Sequence, residues 1–234
     1  MTGTFINMGA ILAGTAIGSI AGSRLPARMR RIVLYGIGLV VLLLGFQMAV
    51  RSQNVLVVLG AILIGGVIGE LLRIEDRLES LGQFFQTRFS KGSGQSISEG
   101  FVTASLVFCV GPMAILGSIS DGLSGDYSLL SIKAVMDGFA SVAFGASLGW
   151  GVGLSAISIL VYQGAITLFA GSLPGVLNDS MITEMTATGG LIIIGIGIKL
   201  LDIKDLPLAN LVPAIVVAPA ILALIPIFRS LFIP

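Results

Sequence analysis

The stretch "SIKAVMDGFASVAFGASLGWG", Ser131 to Gly151, reads as a membrane span in every respect but two. Its length and apolar content fit the ~20 residues a helix needs to cross a hydrocarbon core of ~30 Å. Lys133 and Asp137 nevertheless stand inside it, four residues apart and therefore on one helix face. An unpaired ion in hydrocarbon costs at least ~2.5 kcal/mol on insertion scales, so the two are expected to pair. Such a pair serves either helix packing alone or a gate or ion site in which the partners exchange, and the sequence leaves both readings open.

The rest of the chain explains why the fold must be read through this run. Of 234 residues, 55% are hydrophobic and 11% charged, and the mean hydropathy of +1.04 excludes an ordinary soluble domain. The net charge of +1 gives no reason to expect a nucleic-acid partner. No histidine is present, which removes the usual neutral-pH proton relay and the commonest metal ligand. The single cysteine, Cys109, forbids an internal disulfide or a multi-cysteine metal site, and no metal or cofactor is expected. "MTGTFINMG" has no basic residue ahead of its apolar run, so the first run is expected to stay as a span. No Walker loop, zinc motif or nucleophile elbow occurs, and an enzyme is not expected.

Apolar runs of span length fall near 3–22, 32–50, 54–72, 99–119, 129–148, 151–172, 186–202 and 207–228. Of the 13 lysines and arginines, all but Arg51, Arg229 and Lys133 fall in alternate loops or at their edges. The positive-inside rule then puts the N- and C-termini outside and 73–98 in the cytoplasm. In that segment Ile74, Leu78, Leu81, Phe85 and Phe89 share a helical face opposite charges, as in a helix lying on the leaflet or docked on its own bundle. "SKGSGQS" after it reads as a flexible hinge.

Three pairs of stretches recur in order. "AGSRLP" from Ala21 matches "AGSLP" from Ala170, and "GLVVLLLG" from Gly38 matches "GLIIIGIG" from Gly190. "NVLVVLGAIL" from Asn54 resembles "NLVPAIVVAPAIL" from Asn210. Spans one to three (1–72) and six to eight (151–228) thus read as copies flanking central helices at 99–148. Five spans separate corresponding helices, so the copies run in opposite orientations, an arrangement common in transporters and also found in channels.

Further polar residues interrupt the apolar runs. In "CVGPMAILGSISDGLSGD" the Gly111-Pro112 step is expected to break span four, while Ser118, Asp121 and Asp126 stand toward its outer end as a cation-collecting vestibule or as capped turns. Gln163 sits midway along span six. "EMTATGG", with Thr186 and Thr188, is expected to open span seven as a half-unwound turn facing a ligand, or simply to cap it. Ala10, Gly14, Gly18 and Gly22 form a small-residue face suited to close packing within the chain or to a homodimer. Pro213, Pro219 and Pro226 are expected to bend span eight.

"GPMAILGSISDGLSGD", "KAVMDGFASVAFGASLGWGV", "VYQGAITLFA" and "EMTATGGLIIIGIGIKLL" together resemble the YqgA/YdfK-like family of prokaryotic inner-membrane proteins, a domain of unknown function (number 554), over essentially the whole chain. The resemblance implies a multi-pass protein of the prokaryotic plasma membrane and brings no activity or catalytic residue with it. The residues themselves point to an all-α, eight-span protein in the lipid bilayer that moves a small ion or solute through a site between the copies. Candidates for that site are Asp137, Lys133, Gln163, Thr186, Thr188, Ser118 and Asp121. The acidic outer loops favour a cation-coupled process. The rival reading is a non-transporting scaffold or sensor acting through 73–98.

Overall fold

The computed structural model describes residues 1–24, 26–89, 97–170 and 177–232, and every regular element among them is helical. In chain order these are α1 (Thr2–Ser23), α2 (Ala27–Ala49), α3 (Val55–Leu71), α4 (Ile74–Phe89), α5 (Ile97–Cys109), α6 (Pro112–Ser124), α7 (Ser128–Leu148), α8 (Gly151–Phe169), α9 (Asp179–Leu200) and α10 (Ala214–Phe232), with a 3-10 turn at Leu208–Leu211 ahead of the last. Six segments are long and apolar enough to cross a membrane, and eight crossings result if the bent pairs α3–α4 and α5–α6 count as one each. The hinge at 90–96 and most of the second "AGSLP" turn lie outside the described residues.

The outer surface confirms the solvent. Leu39, Val40, Leu43 and Phe46 on α2, and Leu56, Leu63, Val67 and Leu71 on α3, are exposed. In water such a contiguous apolar face would be an aggregation surface, whereas lipid tails satisfy it without cost.

Close backbone approach holds the helices together. A Cβ on Gly18 would collide with the Val142 carbonyl oxygen, and one on Gly14 or Gly22 with the carbonyls of Gly138 or Ala146. The rising numbers on both sides show that α1 and α7 run parallel. The small-residue face of α1 is therefore filled by the chain's own α7, which leaves the homodimer expectation without the surface that suggested it. On α2 and α9 the matched "GLVVLLLG" and "GLIIIGIG" stretches pack on each other antiparallel. A Cβ on Gly197 would come within 3.0 Å of the Gly38 oxygen, and one on Gly190 within 2.7 Å of the Gly45 oxygen. Gly65 and Gly69 of α3 abut Ala214 and Asn210, again antiparallel, and Asn7 of α1 meets Gln163 of α8 while Thr15 meets Gly153.

These contacts sort the loops into two ends. Arg24, Arg28 and Arg31 follow α1 at one end, which also holds α4, the start of α5 and the end of α9. The opposite end holds Met1, Asp121, the α2–α3 loop and the start of α9.

One expectation about a helix end needs correction. Span seven begins at Asp179, not near 186, because the Asn178 side chain accepts from the Met181 N–H at 2.9 Å and caps two further polar turns. Span eight is unbroken from Ala214 through Pro219 and Pro226, and Pro213 stands between the 3-10 turn and the helix.

The glycine seam gives a direct test. Gly18→Val should lower stability by about 1–3 kcal/mol by forcing α1 off α7. Gly9, whose Cβ would meet nothing within 4 Å, should accept Ala with a gain of up to about 1 kcal/mol from helix propensity. Thermal melts of the two variants in detergent check the contrast.

Candidate functional site

Span four is broken where the sequence expects it. The last α5 bond runs from the Val110 N–H to the Leu106 oxygen at 3.0 Å. Gly111 then takes φ 155° and ψ 149°, a conformation open essentially to glycine alone. Pro112 begins α6, where its missing N–H costs nothing, and the two half-helices meet at 65°. Thr186 reaches this break, bordering a small void with Val110, Gly111 and Met185.

The ion pair on α7 is the centre of a buried polar cluster. Lys133 Nζ pairs with Asp137 Oδ2, and both residues are buried. Asn7 on α1 donates its Nδ2 to the same Asp137 oxygen at 2.9 Å and lies 3.5 Å from Gln163 Oε1 on α8. Two helices thus meet at one carboxylate, and α8 joins them through Asn7. Asn7 and Gln163 are fully buried, yet Asn7 Oδ1 and Gln163 Nε2 have no hydrogen-bond partner among the described residues. The hydroxyls of Ser118 on α6 and Ser141 on α7 are likewise buried without a partner. Such groups ordinarily hold water or a ligand.

Asn7 is the participant that the sequence reading missed. A lone asparagine inside the apolar run "FINMGAIL" is a signal of the same kind as Lys133, because an amide in hydrocarbon also needs a partner. Glu184 was missed as well. Its Oε1 accepts the N–H groups of Gln53 and Asn54 at 2.8 and 2.9 Å, and its Oε2 accepts from the Ser52 hydroxyl at 2.7 Å, so it ties the α2–α3 loop to α9.

The other sequence candidates stand elsewhere. Asp121 is buried at the end of α6, where its carboxylate accepts from the Gly3 N–H at 3.1 Å and lies 3.0 Å from the Met1 amino group. Asp126 accepts from the Ser128 amide and hydroxyl, which hold its carboxyl below the usual range. The half-unwound turn at Thr186 and Thr188 is not present: both lie within regular α9, and Thr186 donates back to the Ile182 oxygen at 2.7 Å. Two further polar turns ahead of them, capped by Asn178, carry the start of the helix away from the candidate site. Thr188 is fully buried with its hydroxyl unpartnered.

At the arginine-bearing end a cleft of about 640 Å³ opens between α4, α5 and the end of α9. Glu75, Glu79, Glu99, Asp202 and Asp205 line it with Lys199 and Lys204, so carboxylates outnumber ammonium groups. Lys199 pairs with Asp205 at 2.7 Å. Val102, Thr103, Leu106 and Ile196 form its inner part. Leu106 lies nine residues into α5 from Ile97, a rise of ~13 Å and close to half the hydrocarbon thickness. The lining stops there, one turn short of the break, and does not include Asp137. On another face of α5, Phe108 packs edge-to-face on Phe144 of α7, with centroids 6.1 Å apart.

Glu75 also locks α4 in place. Its carboxylate accepts from the Ala209 N–H at 2.7 Å, its own N–H donates to Asn210 Oδ1 at 2.8 Å, and Asn210 Nδ2 donates to Glu70 at 2.7 Å. Burial is the larger influence on Glu75 and raises its pKa above the ordinary 4.5, against the lowering by the Ala209 amide. The folded chain therefore holds this proton more tightly than the unfolded chain. The contribution is present in acid and is lost as pH rises through the folded value, so Glu75→Gln should flatten the melting temperature in the window above 4.5. A melt series in detergent from acid to neutral pH, on both proteins, reads this out.

The ion pair gives a second test. Asp137→Asn leaves Lys133 buried without its counter-ion and should cost about 3 kcal/mol or more, whereas Lys133→Met combined with Asp137→Leu should recover most of the loss. Melts of the single and double variants measure the coupling.

Comparison with known proteins agrees with the membrane architecture. The chain is 30% identical over 236 residues to the uncharacterized membrane protein YdfK of Bacillus subtilis (strain 168), covering 99% of this chain and 100% of that one. It is 30% identical over 220 residues to the uncharacterized protein YqgA of Escherichia coli (strain K12), covering 92% and 94%. No solved structure matches it. A family described as protein of unknown function (DUF554) matches residues 2–223, and the chain belongs to that family.

Proposed function

We propose that this membrane protein moves a small ion or solute across the bilayer, through a site between α1–α3 and α8–α10. The observation that carries the reading is the convergence of Asn7, Lys133, Asp137 and Gln163 from three helices, with amide atoms left over for an occupant. The cleft from the arginine-bearing end supplies an approach, and the α5–α6 break supplies a joint.

The packing supports inverted repeats. Gly38 matches Gly190 in sequence and Gly45 matches Gly197, and the contacts are Gly38 with Gly197 and Gly45 with Gly190. Exchanging each residue for its match turns one contact into the other, as a pseudo-two-fold axis in the membrane plane requires. α1 with α8 and α3 with α10 are also antiparallel counterpart pairs. With the arginine-bearing end in the cytoplasm, as the positive-inside rule has it, both termini lie outside the cell, in a prokaryotic plasma membrane.

The pair restricts the chemistry. Lys133 and Asp137 neutralise each other, so a cation reaches Asp137 only as Lys133 swings away, and an anion reaches Lys133 only as Asp137 is released or protonated. Exchange of partners, rather than simple capture, is the expected step.

Purified protein in liposomes should carry at least one of protons, sodium, potassium, chloride or small carboxylates, and Asp137→Asn should abolish that flux. The Lys133→Met/Asp137→Leu protein should fold and remain inactive. Absence of flux above the Asp137→Asn control, in gradients of either direction and under a membrane potential, overturns the reading in favour of a scaffold acting through α4.

A further inference from the structure

α4 is walled by different chemistry on its two sides. Glu75, Glu79 and Gln83, at successive i,i+4 positions, face the acidic cleft. Arg73, Asp76, Arg77, Ser80, Leu81 and Phe84 face away from it and line a second, more open groove of about 600 Å³ beneath the end of α3. Of the apolar face read from the sequence, the side chains of Phe85 and Phe89 lie outside the described residues, and the rest, with Phe84 beside it, is divided accordingly. Ile74 and Leu78 pack against the protein core, while Leu81 and Phe84 stand 50% and 61% exposed.

Three features of the groove specify its occupant. Its apolar wall continues the lipid-facing side of α3, because Leu71 and Leu72 belong to both and Leu71 is 79% exposed. Its rim carries Arg73 and Arg77, neither of which has an ion-pair partner among the described residues. Finally, the α3–α4 elbow bends by 54° and holds Arg73 at φ 50°, a left-handed conformation that an arginine adopts only at a cost. Asn or Gly would sit there more easily, so the arginine is held against local preference at the point where helix meets leaflet. Free phosphate matches the two guanidinium groups but not the leucine and phenylalanine wall. A phosphatidylcholine matches the wall, but its choline cancels the phosphate charge.

We infer that the elbow between α3 and α4 binds an anionic phospholipid of the adjoining leaflet, with its phosphate at Arg73 and Arg77 and its upper acyl carbons against Leu71, Leu72, Leu81 and Phe84. The bound lipid pins the outer side of the helix whose inner side walls the acidic cleft. This site stands whether or not a solute moves through the protein.

Retention of single lipids by the purified full chain, read by native mass spectrometry from detergent, tests the site. With phosphatidylglycerol and phosphatidylcholine of equal chain length, phosphatidylglycerol should be retained about tenfold more, as charge-selective binding at two arginines requires. Arg73→Asn with Arg77→Gln should bring the ratio to about one. The same charge removed elsewhere at this end, Arg28→Gln with Arg31→Gln, should leave the preference in place. Equal retention of the two lipids by the unaltered chain overturns the site, and so does an equal loss in the Arg28/Arg31 variant, which would mark non-specific attraction. Should the Arg73/Arg77 variant not fold, a Ser80→Cys probe in a Cys109→Ala background decides the matter. A fluorophore there should be quenched by brominated phosphatidylglycerol well before brominated phosphatidylcholine, and equal quenching overturns the proposal.

Discussion

The parallel seam between α1 and α7 sets the distance on which the polar centre depends. An asparagine side chain is short, and Asn7 reaches the Asp137 carboxylate at 2.9 Å only because the two backbones approach through Gly14, Gly18 and Gly22. In a bilayer no hydrophobic force drives helices together, so small residues and interhelical hydrogen bonds must do so. Here the two act in series along one seam. The glycines bring the backbones close, and the amide then shares a carboxylate that would otherwise depend on Lys133 alone. Leu130 extends the same seam at the Met1 end, lying against both Gly3 of α1 and Gly117 of α6. The polar centre is thus framed by α1, α6, α7 and α8 rather than by the ion-bearing helix alone.

The break in span four follows from a related constraint. Non-helical backbone at membrane depth persists only where protein or water satisfies it. Gly111 supplies the conformation, Pro112 starts the second half-helix without losing a bond, and α9 covers the break through Thr186 and Gly189. Two half-helices meeting at 65° also give the central region a joint that the sequence itself announces.

That difference explains what could be read in advance. Eight apolar runs, the Gly111-Pro112 break and the Lys133–Asp137 spacing are local properties, written in consecutive residues and in two periodicities. Asn7 announced itself only weakly, because one amide barely lowers the hydropathy of its run. The acidic cleft was not legible at all. Its lining comes from Glu75, Glu99, Lys199 and Asp205, residues from loop ends far apart in sequence that meet only once α4 is locked by Asn210 onto the 3-10 turn. The start of α9 was misplaced for a different reason. "NDSMITEM" is polar enough to read as loop, yet Asn178 caps it and Glu184 inside it satisfies a neighbouring loop, so tertiary hydrogen bonds outweighed the hydropathy pattern.

The placement of acids then bears on the ion that the proposed transport would carry. Asp121, Asp126 and Glu184, at the end away from the arginines, are committed to backbone amides and hydroxyls, so they offer little charge to an approaching ion. The net excess of carboxylates over ammonium groups lies at the arginine-bearing end, inside the cleft. The arginines of α4 do not cancel it, because Arg73 and Arg77 face the lipid groove with Asp76, while Glu75 and Glu79 face the cleft. A concave surface of one sign with low-dielectric walls concentrates counter-ions. The acidic outer loops that favoured a cation in the sequence are therefore the wrong acids for the argument, and the cleft acids replace them. The proposed cation-coupled process thus takes its physical basis from the opposite end of the molecule.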